Sequence, residues 1–276
     1  MRRFLVTGAT GFIGSAVTRR LEARGEHVVA LGSRQIDLLA ANDAQLESLV
    51  DQAKISHCIH CAWYTNHSDY LVHDINREWF TASLRLARAC RRIRFVGLGT
   101  CLEYDFSDGE PCVEDGTPLN PDTLYARSKA AVFDGLGVLG GDFIWARVFF
   151  VYGPGDRPGR LVPAMMDRFG RGEQGGPSCG GLRRDYIHVD DLAGQLVRLA
   201  ASDVRGAVNT GTGIAPTLSS IFATGAQALG RPELACTNRK TGGQPPLIQA
   251  DMTRFRERVG DPEARNIARG LEDLIR

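Results

Sequence analysis

Thr7-Gly8-Ala9-Thr10-Gly11-Phe12-Ile13-Gly14 decides how the rest of this chain is read. Before it, Arg3-Phe4-Leu5-Val6 reads as a short apolar strand. After it, Ser15 to Arg24 reads as a helix, with Ala16, Val17 and Leu21 on one side and Arg19, Arg20 and Glu22 on the other. A strand, a glycine turn and a helix in that order make a phosphate cradle. In such a cradle Gly8 allows the sharp turn, Gly11 lets the backbone approach a pyrophosphate, and Gly14 lets the helix pack closely on the strand. The helix N-terminus then offers free N–H groups and the positive end of its dipole to the phosphates.

Working outward, strand and helix alternate through the first half. Strands are expected at 27–31, 57–62, 93–98 and 143–151, and helices at 43–53, 69–92 and 123–139. That alternation predicts an α/β fold with a doubly wound parallel sheet of the Rossmann type. Past Gly153-Pro154-Gly155 the pattern is less regular. A helix is expected at 160–171, a glycine-rich loop at 172–181, a strand at 185–189, a helix at 190–201 and a strand at 207–209. Helices are expected at 218–229, 252–259 and 264–275. This divides the chain into a dinucleotide-binding domain at 1–152, to which it returns at about 186–212, and a smaller C-terminal α/β substrate-binding domain spanning mainly 153–276.

The bulk properties exclude several classes. At 276 residues the chain is long enough for a large core. Hydrophobic residues at 43% and charged residues at 24% give an ordinary globular balance. A net charge of +1 gives neither nucleic acid nor an anionic membrane an electrostatic hold. No apolar run reaches the roughly 18 residues of a membrane span, and the glycine loop begins too early to leave room for a signal peptide. Seven cysteines, an odd number scattered along the chain, point to reduced thiols and a cytoplasmic location. Cys58 and Cys61 have C-x-x-C spacing, but they lie in an expected strand, where residues three apart face opposite ways, so no metal site is assigned.

An NAD-preferring fold places an acidic residue at the end of the second strand, bonding the ribose 2′-hydroxyl. Here the chain reads Gly32-Ser33-Arg34, and a hydroxyl with a guanidinium suits a 2′-phosphate. Asp37 and Leu38, slightly further on, are placed beside the adenine. NADP(H) is therefore preferred, with NAD(H) the alternative. Tyr125-Ala126-Arg127-Ser128-Lys129 puts a phenol and an ammonium on one helix face, where the ammonium lowers the tyrosine pKa and makes it an acid or base near neutral pH. Thr100, at the end of the fourth strand, faces the same edge and is placed to hydrogen-bond a substrate carbonyl.

These stretches together resemble the extended short-chain dehydrogenases/reductases of the nucleotide-sugar epimerase/dehydratase group. The resemblance rests on Thr7–Gly14, His60–Trp63, Asn76, Thr100–Tyr104, Tyr125–Lys129, Arg147–Pro154 and Arg184–Leu192, and covers nearly the whole chain. It implies that Thr100, Tyr125 and Lys129 carry catalysis, that Lys129 also holds the nicotinamide ribose, and that Phe12, Ile13 and Ala62 join the glycines against the cofactor. It implies a substrate site at Trp63, Cys101, Leu161 and Arg184, with Arg184 on the diphosphate, and a homodimer built from two helices of each subunit. Tyr64, His67 and Glu103 are further candidates for the sugar pocket.

The departures narrow the chemistry. Family dehydratases carry Asp-Glu after the catalytic Thr, whereas this chain has Cys101 and Leu102, and leucine moves no proton. Sugar-acid decarboxylases need a Glu, and 3,5-epimerising reductases a Cys, where Leu102 stands. Simple hydride chemistry at C4 is left. Ser33-Arg34 and the chain length resemble the short NADPH-using reductases of nucleotide-linked 4-keto-6-deoxyhexoses. A nucleotide-sugar 4-epimerase retaining NAD is the alternative, and a non-catalytic NADP(H) sensor on the same scaffold is a second. Phe150 replaces the usual Asn before V-Y-G-P, and the usual basic residue near Thr241 is missing, although Arg239 and Lys240 are close by.

Overall fold

A computed structural model describes residues 2–66 and 68–275; His67 lies outside the described residues. Alternating strand residues decide the layers. Phe4 and Val6 of β1 (Arg3–Thr7) turn to one face and Leu5 to the other, and all three are fully buried, so the strand needs cover on both sides. The cover comes from α1 (Phe12–Glu22), α2 (Asp43–Gln52), α3 (Ile75–Ala89), α4 (Leu124–Leu139) and α6 (Val189–Ala201). Val17 and Leu21 of α1 meet Leu192 and Leu196 of α6 over one face, while Leu46, Leu86, Val132 and Leu136 close the other.

The sheet has six parallel strands in the order β2 (His27–Leu31), β1, β3 (His57–His60), β4 (Arg94–Thr100), β5 (Phe143–Val148), β9 (Gly206–Thr210). It is a doubly wound Rossmann-like sheet. Because β2 and β3 leave β1 on opposite sides, a crevice opens at the carboxyl ends of β1 and β3, where such folds bind ligands.

Four stretches differ from expectation. The helix expected at 69–92 begins only at Ile75. The Asn76 amide donates to the carbonyls of Tyr70 and His73, which holds 69–74 as turns. The strand expected at 143–151 breaks at Phe149. Beyond it, β6 (Phe150–Tyr152) leaves the main sheet to pair with β8 (Tyr186–His188). The strand expected at 185–189 is cut into β7 (Arg183–Arg184) and β8, because the buried Asp185 carboxylate accepts the backbone N–H groups of Thr212, Gly213 and Ala250. The helix expected at 264–275 shortens to α9 (Ile267–Glu272), with Asn266 as its cap.

A separate apolar core joins α5 (Leu161–Gly170), α7 (Leu218–Ala228) and α9, through Val162, Met165, Phe169, Ile221, Phe222 and Leu271. β10 (Leu247–Ile248) pairs with β7, and α8 (Thr253–Val259) lies against β9. No helix among the described residues is long and apolar enough to cross a membrane.

Candidate active site

The cradle after β1 is shaped by backbone. Gly8 has φ +64°, a left-handed conformation that a side chain would strain, and it lies against the backbone of Ala62. Gly14 faces the Gly8 carbonyl so closely that a methyl group would run into it. Gly11 is the N-cap of α1, with no side chain bonded across the helix end and no acidic residue in the first turn. The first-turn N–H groups of α1 therefore face the crevice without a competing anion, which fits the diphosphate of a dinucleotide. Phe12 and Ile13 open the helix, and Ile13 lines the central cavity.

At the end of β2, Thr10, Gly32, Ser33, Arg34 and Gln35 line a cleft that contains no carboxylate. Ser33 and Arg34 are both exposed there. Their two neighbours do not join them. Leu38 is 6% exposed and packs into the core with Leu31 and Leu46, and Asp37 accepts the Leu39 N–H of its own turn.

The carboxyl ends of β3, β4 and β5 enclose a cavity of about 130 Å³. Thr100, Tyr125 and Lys129 line it together, with Trp63, Cys101 and Leu102. Thr123 caps α4 by accepting the Ala126 N–H, which fixes the turn bearing Tyr125 and Lys129. Thr100 Oγ accepts the Leu102 N–H at 3.3 Å, leaving the hydroxyl proton free for an acceptor in the cavity. Lys129 Nζ donates to the Leu98 carbonyl at 2.6 Å and lies 3.7 Å from the Trp63 ring centroid, a cation–π contact. Trp63 is itself held by donating its indole N–H to Asn76 Oδ1 at 2.8 Å.

One expectation is overturned by this arrangement. The ammonium does not bring the Tyr125 pKa down. Burial pushes it up, the neighbouring Tyr70, Glu103 and Cys101 push the same way, and the cation that opposes them is Arg160. Lys129 is buried with its charge turned to Leu98 and Trp63, and desolvation lowers its own pKa to about 7. Tyr125 is thus held protonated at neutral pH, the state of a proton donor. Cys101 is also pushed up, by burial first, so its thiol is a poor base.

Two lining residues were not singled out in the sequence. Tyr70 reaches the cavity because the chain before α3 is a turn, and its ring stands edge-on to Tyr125 at 5.1 Å. Arg160 lines it from the N-cap of α5. The only sequence signal for it was a basic residue following the glycine–proline break.

Other candidates fall outside the cavity's lining. Tyr64 donates its hydroxyl to Asp69. Leu161 packs against the α5–α7–α9 core. Arg184, 5% exposed, donates to the Arg183 carbonyl and to Gln244 Oε1. Glu103 is wholly buried and pairs with Arg147 at 2.9 Å, so it faces the core and not a sugar. Cys58 of β3 is buried in the core, while Cys61, one residue past the end of that strand, lines the cavity, so the two do not converge.

A family model described as the NAD dependent epimerase/dehydratase family matches residues 4–211. The chain belongs to that family. Within this extended short-chain dehydrogenase/reductase group, a dTDP-4-dehydro-6-deoxy-D-allose reductase of Streptomyces bikiniensis is 27% identical over 100% of this chain and 95% of its own length. A dTDP-4-dehydrorhamnose reductase of Streptomyces griseus is 30% identical over 76% of this chain and 68% of its own length. Among solved structures, a UDP-N-acetylglucosamine 4-epimerase of Methanobrevibacter ruminantium superposes with a TM-score of 0.86 at 20% identity, covering 99% of this chain and 96% of that one.

Proposed function

We propose that this family member is an NADPH-dependent reductase of the C4 keto group of a nucleotide-linked 4-keto-6-deoxy sugar. The observation that carries the reading is the composition of the cavity. Thr100, Tyr125 and Lys129 meet there, while the two positions after Thr100 offer only a thiol held protonated and a leucine. Tyr125 stands beside Thr100 as proton donor and neither Cys101 nor Leu102 adds a base, which suits a reaction that adds one hydride and one proton. The relatives named as reductases of 4-dehydro-6-deoxy sugars support the same chemistry.

A reduced nicotinamide held at the carboxyl ends of the strands would supply the hydride. Tyr125 gives its proton to the C4 oxygen, and the free Thr100 hydroxyl proton positions that oxygen. The Lys129 ammonium, when charged, balances the phenolate left on Tyr125. The glycine cradle with Phe12, Ile13 and Ala62 holds the dinucleotide, and Ser33 with Arg34 selects the 2′-phosphate. The lobe of residues 153–276 carries substrate, with Arg160 and Arg184 as cations for the diphosphate. They flank Tyr186, whose pKa burial pushes up to about 12 while both cations pull against it. The protein works in the cytoplasm, where its seven free cysteines stay reduced. It is a homodimer through α3 and α4, where Val138 of α4 is 90% exposed.

The test is turnover. Purified protein should consume NADPH stoichiometrically with a 4-keto-6-deoxy sugar carried on dTDP, CDP, GDP or UDP. An epimerase must keep its cofactor while oxidising and re-reducing C4. Tightly retained NAD, with no net NADPH consumption on any of the four, would replace this reading with the epimerase.

A further inference from the structure

Glu103 is the buried group that the proposed reaction leaves unused. It sits on a single helical turn, Cys101–Glu103, directly after Thr100. Its Oε1 accepts the Thr100 backbone N–H at 2.8 Å and the Trp145 indole N–H at 3.0 Å. Its Oε2 accepts the same indole at 3.1 Å and Arg147 Nε at 2.9 Å. Every one of these neighbours is a donor, so the group that fits is the ionised carboxylate; a protonated carboxyl would find no acceptor among them. Burial pushes the Glu103 pKa up, and Arg147, foremost among the opposing influences, pulls it back.

The sheet is shaped to admit this carboxylate. Gly99 of β4 lies so near that a methyl group there would stand 2.6 Å from Glu103 Oε1 and would also strike the Trp145 indole. On the same three-residue span, Lys129 grips the Leu98 carbonyl at 2.6 Å, while Glu103 grips the Thr100 amide. Trp145 links them: Lys129 Nζ is 5.8 Å from its ring centroid, and its N–H is bonded to Glu103.

We propose that Glu103 is a positioning residue for Thr100 and Lys129. Its carboxylate fixes the Thr100 backbone so that the hydroxyl faces the cavity, and its negative charge offsets part of the desolvation of the Lys129 ammonium, with the Trp145 indole touching both. Naming Thr100 and Lys129 as working groups rests on the reductase reading; the charge coupling does not.

The surroundings leave few other charges to confuse the effect. Around Lys129 stand Glu103, the carboxylate whose charge opposes its desolvation, and the Cys61 thiol, together with Tyr125 on its own helix and His60 on β3. Around Glu103 stand Arg147 from β5, with Cys101 and Tyr125 on the cavity side. Burial, aided by Lys129, drives His60 down to about 3, and burial drives Cys61 up to about 12. Tyr125 and Cys101 are pushed up as well. Of His60, Cys61, Cys101, Tyr125 and Lys129, the group that titrates near pH 7 is Lys129.

The sequence makes a direct test simple, because it contains three lysines, Lys54, Lys129 and Lys240. Protein labelled with carbon-13 at lysine Cε gives three resonances, and the one lost in Lys129→Met is Lys129. In the unaltered protein its titration midpoint should lie at about 7. Glu103→Gln keeps a carbonyl acceptor and removes the charge, so the Lys129 midpoint should fall by about one pH unit. Glu103→Asp keeps the charge but shortens the reach to Thr100. Its midpoint should stay near that of the unaltered protein, while kcat with dTDP-4-keto-6-deoxyglucose falls roughly tenfold with the KM for NADPH unchanged. Should Glu103→Gln fail to fold, the double variant Glu103→Gln, Arg147→Met is read against Arg147→Met alone, so that the loss of the carboxylate is the difference between the two midpoints. A folded variant without the carboxylate whose Lys129 midpoint does not move would overturn the proposal. Absence of turnover in the unaltered protein would instead count against the reductase reading, and the resonance titration would still decide the role of Glu103.

Discussion

The loop after β1 and the turn after β4 both end a buried parallel strand at the same edge of the sheet, yet they are made by different means. The loop is shaped by missing side chains. Gly8 takes a left-handed φ and Gly14 lies on the Gly8 carbonyl, so the phosphate cradle is a property of the backbone. The turn is shaped by side chains brought from elsewhere: Trp145 and Arg147 from β5 converge on Glu103, and Lys129 from α4 holds the Leu98 carbonyl. A backbone site is written locally and tolerates change around it. A site of converging charges depends on the whole sheet, and it is there that single substitutions should separate binding from chemistry.

The largest expected effect follows from that contrast. Tyr125→Phe removes the proton donor and keeps the ring, which stands edge-on to Tyr70 and Trp63. Turnover should fall by roughly 10²–10⁴-fold, the usual contribution of general acid catalysis. NADPH affinity, set by the loop, should hold. Fluorescence titration of NADPH beside steady-state rates would check both. A parallel loss of binding would mean that the two ends of the crevice are not independent.

How much of this was readable in the sequence follows the same division. The cradle's backbone, the parallel alternation and the shared helix of Tyr125 and Lys129 are each set by residues close in sequence, although the Lys129 ammonium turns to Leu98 and Trp63 and not to the phenol. Tyr70 was missed because its position depends on where α3 starts, which the Asn76 amide decides by bonding the carbonyls of Tyr70 and His73. Arg160 was missed because it enters the cavity from the N-cap of α5, after the chain has crossed the sheet. Glu103 was read as a pocket residue because its neighbour Thr100 is one. Its inward turn is dictated by Arg147 and Trp145, which sequence spacing alone does not bring near. Gly97 and Gly99 within one strand did carry a signal of close side-chain approach, the one that Trp145 makes.

At the cofactor's far end, Arg34→Ala sharpens the comparison from the loop side. A charged contact to a phosphate is worth roughly 1.5–3 kcal/mol, or about tenfold and upward in affinity. The variant should lose most of its preference for NADPH over NADH while its kcat with saturating cofactor stays close to that of the unaltered protein. Competitive binding of the two cofactors measures this. Equal affinities in the unaltered protein would remove Ser33 and Arg34 from the selecting role.

The buried Lys129 also leaves a mark on stability. Below pH 7 both folded and unfolded states hold its proton. Between about 7, where the folded group titrates, and the 10.5 of a free lysine, only the unfolded state holds it. The unfolded state then binds more protons, so this group's contribution makes stability rise with pH, with a slope of up to about 1.4 kcal/mol per pH unit. Lys129→Met abolishes that slope. Chemical denaturation at pH 7, 8 and 9 for both proteins isolates it as a difference, since the other groups titrate alike in the two. Parallel curves would show that Lys129 is charged and solvated in the folded protein.

The smallest effect is expected at Cys101, and it bears most directly on the chemistry. Cys101 lines the cavity next to Thr100, where family dehydratases carry an acid. Burial and the neighbouring Cys112 hold its thiol protonated, so it should neither accept nor supply a proton in turnover. Cys101→Ala removes one sulfur from a site that is 3% exposed, and should cost some stability and little rate. The rate should change by less than about threefold, well inside the effect of losing an acid or base. If Cys101→Ala instead loses as much turnover as Tyr125→Phe while NADPH still binds, the thiol moves a proton. The turn after β4 would then hold two proton-transfer groups, and the reaction would include an epimerisation or an elimination in place of simple reduction at C4.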